Sequence, residues 1–135
     1  MIGLVVCTHA NLAASLLEAA EMIVGEYPGA VAVGVSPADG ADSIHERIGQ
    51  AVKEVNFGDG VLLLCDMFGG TPSNLSLSFL AEDVEVVTGV NLPMLLKLYT
   101  QRESPLLEVA SAVQSHGRDN IRVAGQILKG PEVSQ

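Results

Sequence analysis

Four short, nearly uninterrupted apolar runs, "IGLVVC" (2–7), "AVAVGV" (30–35), "GVLLLCD" (60–66) and "VEVVTGV" (84–90), alternate with stretches whose apolar residues recur at helical spacing. Such a run reads as a strand buried on both faces, the situation of a parallel sheet covered by helices on each side. After the first run, Leu12, Leu16, Ala20 and Val24 mark a helix opened by Asn11 as N-cap and ended by Gly25. After the second, a turn-rich "SPADGADS" leads to a helix with Ile44, Ile48 and Val52 on one face. The third run precedes "TPSNLSLSFLAE" (71–82), with Thr71 as N-cap and Pro72 at the first helical position. Two more helical stretches follow, 92–101 and 104–116, each with a proline near its start.

The last periodic segment, "IRVAGQIL" (121–128), changes to period two, with Ile121, Val123, Gly125 and Ile127 on one face. It is expected to be a terminal edge strand. The predicted architecture is therefore one α/β domain over 1–128, an open, mainly parallel, doubly wound sheet, followed by a polar tail over 129–135.

With 135 residues there is room for one core, and with 48% hydrophobic but only 4% aromatic residues it must be built from Val, Leu, Ile and Ala. A formal charge of −9 offers no broad basic surface to a nucleic acid or an anionic membrane. The start of the chain has neither the basic region nor the cleavage site of a secretory signal, and no apolar stretch is long enough to span a bilayer. A cytoplasmic protein is expected. Cys7 and Cys65 lie inside apolar runs and read as buried thiols.

In doubly wound sheets ligands bind beyond the carboxyl ends of the strands, where the strand order reverses. The residues at those positions are Thr8 and His9, then Asp66 with Met67, Phe68, Gly69, Gly70 and Thr71, and finally Asn91. A carboxylate at a neighbouring strand end can hold one imidazole nitrogen as a hydrogen-bond donor, which leaves the other nitrogen's lone pair free as a nucleophile. His9 and Asp66 are the candidates for that pair. "FGGTPSN" adds two glycines that permit close backbone approach and a helix start with outward N–H groups, a setting that favours phosphate.

Competing motifs are missing: there is no GxxxxGK[ST], no GxGxxG after the first strand and no GxSxG. A metal would need more ligands than His9, Asp66 and the in-strand Cys7, so neither metal nor cofactor is expected. His45 and His116 read as surface or helix-end residues.

With "VVCTHA" before a helix, "LLLCDMFGGTPSN" and "TGVNLPM" all in place, the sequence resembles the enzyme IIA component of the mannose-type bacterial sugar phosphotransferase system, over roughly 1–128. The resemblance implies a phosphocarrier. His9 would accept a phosphoryl group from the histidine phosphocarrier protein and hand it to an enzyme IIB partner, Asp66 would orient His9, and Gly69, Gly70 and Thr71 would face the phosphate. Thr8, Met67, Phe68 and Asn91 would stand behind or beside them. It further implies a homodimer that exchanges the last strand, here 121–128, as an antiparallel edge, and, since this sequence carries no IIB domain, a separate IIB protein as acceptor. Two departures stand out: many relatives have Gly where Ala10 stands, and some have a hydroxyl residue in place of Met67. The rival readings are a regulatory phosphorylated domain of the same fold, a receiver-like domain phosphorylated on Asp66, and a flavodoxin-like binder using "THANLAAS".

Overall fold

Leu62, Leu63 and Leu64 are consecutive and all fully buried, because their strand has a layer of helices on each side. The computed structural model describes residues 1–129. In chain order its elements are β1 (Gly3–His9), α1 (Leu12–Val24), β2 (Ala30–Val35), α2 (Ala41–Val55), β3 (Val61–Cys65), α3 (Thr71–Leu77), β4 (Val84–Thr88), α4 (Leu92–Thr100), α5 (Leu106–Asp119) and α6 (Ala124–Lys129). The strands form one parallel sheet in the order β2-β1-β3-β4.

Side chains alternate across the sheet and so feed two cores. Leu4, Val6, Leu62 and Leu64 pack with Leu17, Leu95, Leu98, Val109 and Val113 of α1, α4 and α5. Val5, Cys7, Leu63 and Cys65 pack with Ile44, Ile48 and Val55 of α2, while Leu75 of α3 covers the same side. The expected open, doubly wound parallel sheet with helices on both faces is the observed fold. The chain leaves β1 for β2 on one side, then crosses back to β3 on the other. That reversal opens a crevice between the carboxyl ends of β1 and β3.

At the opposite end of the sheet, Arg102 is buried and donates to the carbonyls of Ile2, Pro28 and Gly29 while its guanidinium lies 5.3 Å from the centre of the Tyr27 ring. It ties the start of β1 to the turn before β2.

Three expectations need correction. Residues 121–128 do not form a strand: 121–123 have no regular structure, Ala124–Lys129 is a short helix, and Ile121, Val123, Ile127 and Leu128 are all exposed. A ladder needs a second strand to satisfy its N–H and C=O groups. Within the described residues nothing pairs here, and local bonds such as Ile127 N–H to Val123 O take over. Helix α3 stops at Leu77 rather than 82, since Ser78 Oγ donates to Leu75 O at 2.6 Å and tight turns follow, with Phe79 N–H on Ser76 O. Thr71 is the first helical residue and Gly70 the cap. Lys129 closes α6, and the remainder of the expected tail, 130–135, lies outside the described residues. Among the described residues no helix is long and apolar enough to cross a membrane.

Candidate functional site

Strand β1 continues past its apolar run through Thr8 to His9. Thr8 is fully buried, and its hydroxyl accepts the Ala13 N–H at 2.7 Å while donating to His9 O at 3.1 Å. Thr8 therefore caps α1. Asn11 occupies the cap position, but its side chain makes no capping bond. Between them Ala10 has φ 51, the one positive φ of a non-glycine residue among those described. Its N–H donates to Val35 O at 2.8 Å, and a Cβ on Gly34 would stand 2.4 Å from Ala10 O. The turn after His9 is thus pressed onto the end of β2.

Asp66 follows β3, next to β1, and its Oδ2 lies 2.8 Å from His9 Nδ1 and 3.0 Å from His9 N. A carboxylate only accepts, so in the neutral ring Nδ1 carries the proton and Nε2 keeps its lone pair. Burial pushes the Asp66 carboxyl up, but the hydrogen bonds from the His9 side chain and backbone outweigh it and hold the group below its ordinary value. Asp66 is therefore ionised at neutral pH. Its side chain is 14% exposed and that of His9 50%, so the anion is sheltered while the ring stays accessible.

The Gly-Gly turn forms the opposite wall. Gly69 and Gly70 have φ of 92 and 85, and a Cβ on Gly70 would lie 3.3 Å from His9 Cε1 and 3.4 Å from Nε2. Only a glycine leaves the space beside Nε2 open. Buried Ser73 holds this turn, accepting the Gly69 N–H at 2.8 Å with its hydroxyl 3.5 Å from Gly70 O. The Thr71 N–H, at the first helical position, has no intrahelical acceptor. His9, Ala10, Val35, Ser36, Pro37 and Thr71 line a cavity of about 360 Å³.

The remaining sequence candidates divide. Met67 and Phe68 are 52% and 76% exposed on the loop leaving Asp66. Asn91 stands apart from the His9 cavity: its Oδ1 accepts the Met94 N–H at 3.1 Å to cap α4, and its Nδ2 donates to Gly117 O at 3.0 Å. His45 stacks on Phe79 with ring centres 4.5 Å apart. Cys7 and Cys65 are ladder neighbours, both free and buried, and burial pushes the Cys7 thiol up to about 12. Such thiols are poor nucleophiles. Ser73 lies in the stretch after the third strand that the sequence marks, whereas Gly34, Asp39 and Arg47, which shape the walls, were not singled out. The "SPAD" turn, an aspartate three residues after a serine, was the available signal for Asp39.

The fold and the site together define an open α/β domain with an imidazole held by a carboxylate at the switch point of its sheet, where such sheets bind ligands. The profile of the family described as "PTS system fructose IIA component" matches residues 3–114. The chain is 33% identical over 132 residues to the "PTS system fructose-specific EIIA component" of Bacillus subtilis, covering 96% of this chain and 90% of that protein. It is 32% identical over 126 residues to the "PTS system mannose-specific EIIAB component" of Escherichia coli K12, covering 90% of this chain but only 39% of that longer protein. The mannose/sorbose specific IIA subunit from Enterococcus faecalis superposes with a TM-score of 0.82 at 26% identity, covering 90% of this chain and 93% of that one. The chain belongs to the mannose-type enzyme IIA family and is a component of a sugar phosphotransferase system.

Proposed function

We propose that the protein is a cytoplasmic phosphocarrier that takes a phosphoryl group onto His9 Nε2 from the histidine phosphocarrier protein and passes it to an enzyme IIB partner for sugar uptake. The observation that carries this reading is the 2.8 Å contact of His9 Nδ1 with Asp66 Oδ2, beside a cavity that Gly70 leaves open at Nε2. The Nε2 lone pair attacks phosphorus, the bond from phosphorus to the donor's ring nitrogen breaks, and its electron pair stays with that nitrogen. Transfer to the acceptor repeats the step in the other direction. Phosphoryl transfer passes through a loose transition state, so positioning and charge stabilisation supply most of the catalysis. Asp66 would stabilise the positive charge that develops on the ring. The Thr71 N–H and hydroxyl, with the Gly69-Gly70 turn, would meet the phosphoryl oxygens.

The relatives' names support coupling to sugar transport, and a separate IIB protein is the proposed acceptor. A homodimer is also proposed. The outer edge of β4 faces a groove of about 520 Å³ lined by Val86, Thr88, Leu107, Ala110 and Gln114, among others. The exposed apolar residues Ile121, Val123 and Ile127 could fill such a groove on a second copy as the strand that the single chain does not form. Light scattering would give its mass in solution.

The test of the carrier reading is intact-mass measurement after incubation with phosphoenolpyruvate, enzyme I and the histidine phosphocarrier protein. One added phosphoryl group, labile to acid and absent in His9→Ala, is the expected result. An alkali-labile adduct retained in His9→Ala and lost in Asp66→Ala would replace it with the receiver-like reading.

A further inference from the structure

We propose that Ser73 is a positioning residue for phosphoryl transfer, whose buried hydroxyl fixes the Gly69-Gly70 turn at the clearance from the His9 ring that the transferred group needs. The inference rests on the reading of His9 as the phosphoryl acceptor. Ser73 does not line the His9 cavity and acts through the turn.

The segment between Asp66 and α3 is short of anchors. Met67 and Phe68 are exposed, and nothing lies within 4 Å of the place a Gly69 Cβ would take, so no side-chain packing holds it. Gly69 and Gly70 follow each other at φ of 92 and 85, in a region that glycine enters and leaves freely. Among the described residues, Met67 and Phe68 make no hydrogen bond, and the Gly69 N–H donates to the Ser73 hydroxyl at 2.8 Å. The same hydroxyl is directed at Gly70 O, 3.5 Å away, an oxygen that also accepts the Asn74 N–H at 3.0 Å. One side chain therefore meets both glycines. It is a firm anchor, since Ser73 is fully buried in the first turn of α3 beside buried Pro72, and Leu75 seats that helix on the core of β3.

What the turn faces links this tether to the reaction. A Cβ on Gly70 would stand 3.3 Å from His9 Cε1 and 3.4 Å from Nε2, so the Gly70 main chain borders the space through which phosphorus approaches the lone pair. Thr71, next in the chain, lines the same cavity. Donors stabilise a transition state best when they stand in place before charge develops, and a misplacement of about 1 Å can cost roughly 100-fold in rate. Two glycines without a tether would spread over many conformations and lower the fraction of molecules ready to react. Replacing Ser73 by Ala removes the tether, while alanine's higher helix propensity offsets part of the lost bond in stability. The loss should therefore appear in rate more than in folding.

The test follows single-turnover phosphoryl uptake from the phosphorylated histidine phosphocarrier protein by wild type, Ser73→Ala and Ser73→Thr, at a series of donor concentrations and well below each melting temperature. Ser73→Ala is expected to lower the rate at saturating donor about tenfold, with the half-saturating donor concentration within about twofold of wild type. Ser73→Thr, which keeps the hydroxyl, should return the rate to within about threefold of wild type. Exchange of the Gly69 amide hydrogen, followed by ¹H–¹⁵N NMR, should be faster in Ser73→Ala and unchanged in Ser73→Thr. A role confined to folding would lower the melting temperature and leave the saturating rate of folded protein unchanged. Equal saturating rates, or a slow Ser73→Thr whose Gly69 amide stays protected, overturn the positioning role and leave the carrier reading intact. Should Ser73→Ala not fold, Ser73→Cys, of similar size but with a weakly accepting sulfur, carries the same comparison. Failure of wild type to take up any phosphoryl group overturns the carrier reading, and the role of Ser73 with it.

Discussion

A single oxygen, Asp66 Oδ2, receives both the backbone N–H of His9 at 3.0 Å and its ring Nδ1–H at 2.8 Å. Because one atom binds both the main chain and the side chain of His9, the ring's position is tied to the ladder between β1 and β3. The histidine needs no further protein contact to present Nε2 toward Gly70.

Replacing Asp66 by Asn keeps the shape but removes the charge, and a rotated carboxamide would offer a donor to Nδ1 and force the wrong tautomer. The initial rate of phosphoryl uptake by folded Asp66→Asn should fall by about 100-fold or more. Uptake at the wild-type rate would show that the carboxylate does not act on the ring.

The same contact makes stability depend on pH. The Asp66 pKa is depressed in the folded protein, so the unfolded chain takes up this proton more readily than the folded one. Its stabilisation is complete above the unfolded pKa and is lost as pH falls through the folded value. Melting temperatures of wild type and Asp66→Asn, measured from neutral pH downward, should therefore converge in acid. A constant difference would contradict this.

Ala10 at φ 51 carries a left-handed backbone that costs an L-residue about 1–2 kcal/mol, partly offset by the lower entropy of its unfolded state. Ala10→Gly should stabilise the protein by about 0.5–1 kcal/mol in denaturant unfolding, with phosphoryl uptake retained. Ala10→Val should destabilise it.

Gly70→Ala should do the reverse at the site. The new Cβ would stand 3.4 Å from Nε2 on a backbone of φ 85, where phosphorus must approach. Uptake should drop by about 100-fold, with a stability cost of about 1 kcal/mol, measured by mass and by urea unfolding respectively. Normal uptake would place the phosphoryl pocket elsewhere.

Arg102 offers a contrasting test, since it is buried at the far end of the sheet with neutral carbonyl partners and no role at His9. Arg102→Ala should cost about 3 kcal/mol by leaving those carbonyls unpaired, while the folded fraction transfers at the normal rate.

How far the sequence could be read follows from where the governing interactions lie. The runs around Leu4 and Leu63 announced buried parallel strands because every residue in them is apolar, and Pro72, Pro93 and Pro105 fall in or just before helix starts. His9 and Asp66 were legible as candidates because strand ends are where such sheets place chemistry. Residues 121–128 form no strand in the single chain because period-two spacing describes which face a strand would bury, while whether a strand forms depends on a partner edge. Asn91 looked like a site residue from its place after β4, yet its side chain caps α4. Thr8 as the α1 cap, and the joining of Arg47 to Gly34, depend on backbone groups brought near by the fold, which residue spacing does not encode.

The most direct measurement is the ring nitrogen that carries phosphorus. Protein labelled with ¹⁵N-histidine and phosphorylated by the donor system would be observed by long-range ¹H–¹⁵N and ³¹P NMR. Phosphorus on Nε2 of His9, with Nδ1 still protonated against Asp66, is the expected result. Phosphorus on Nδ1, or on any residue other than His9, would contradict the arrangement of His9, Asp66 and Gly70 as the transfer site.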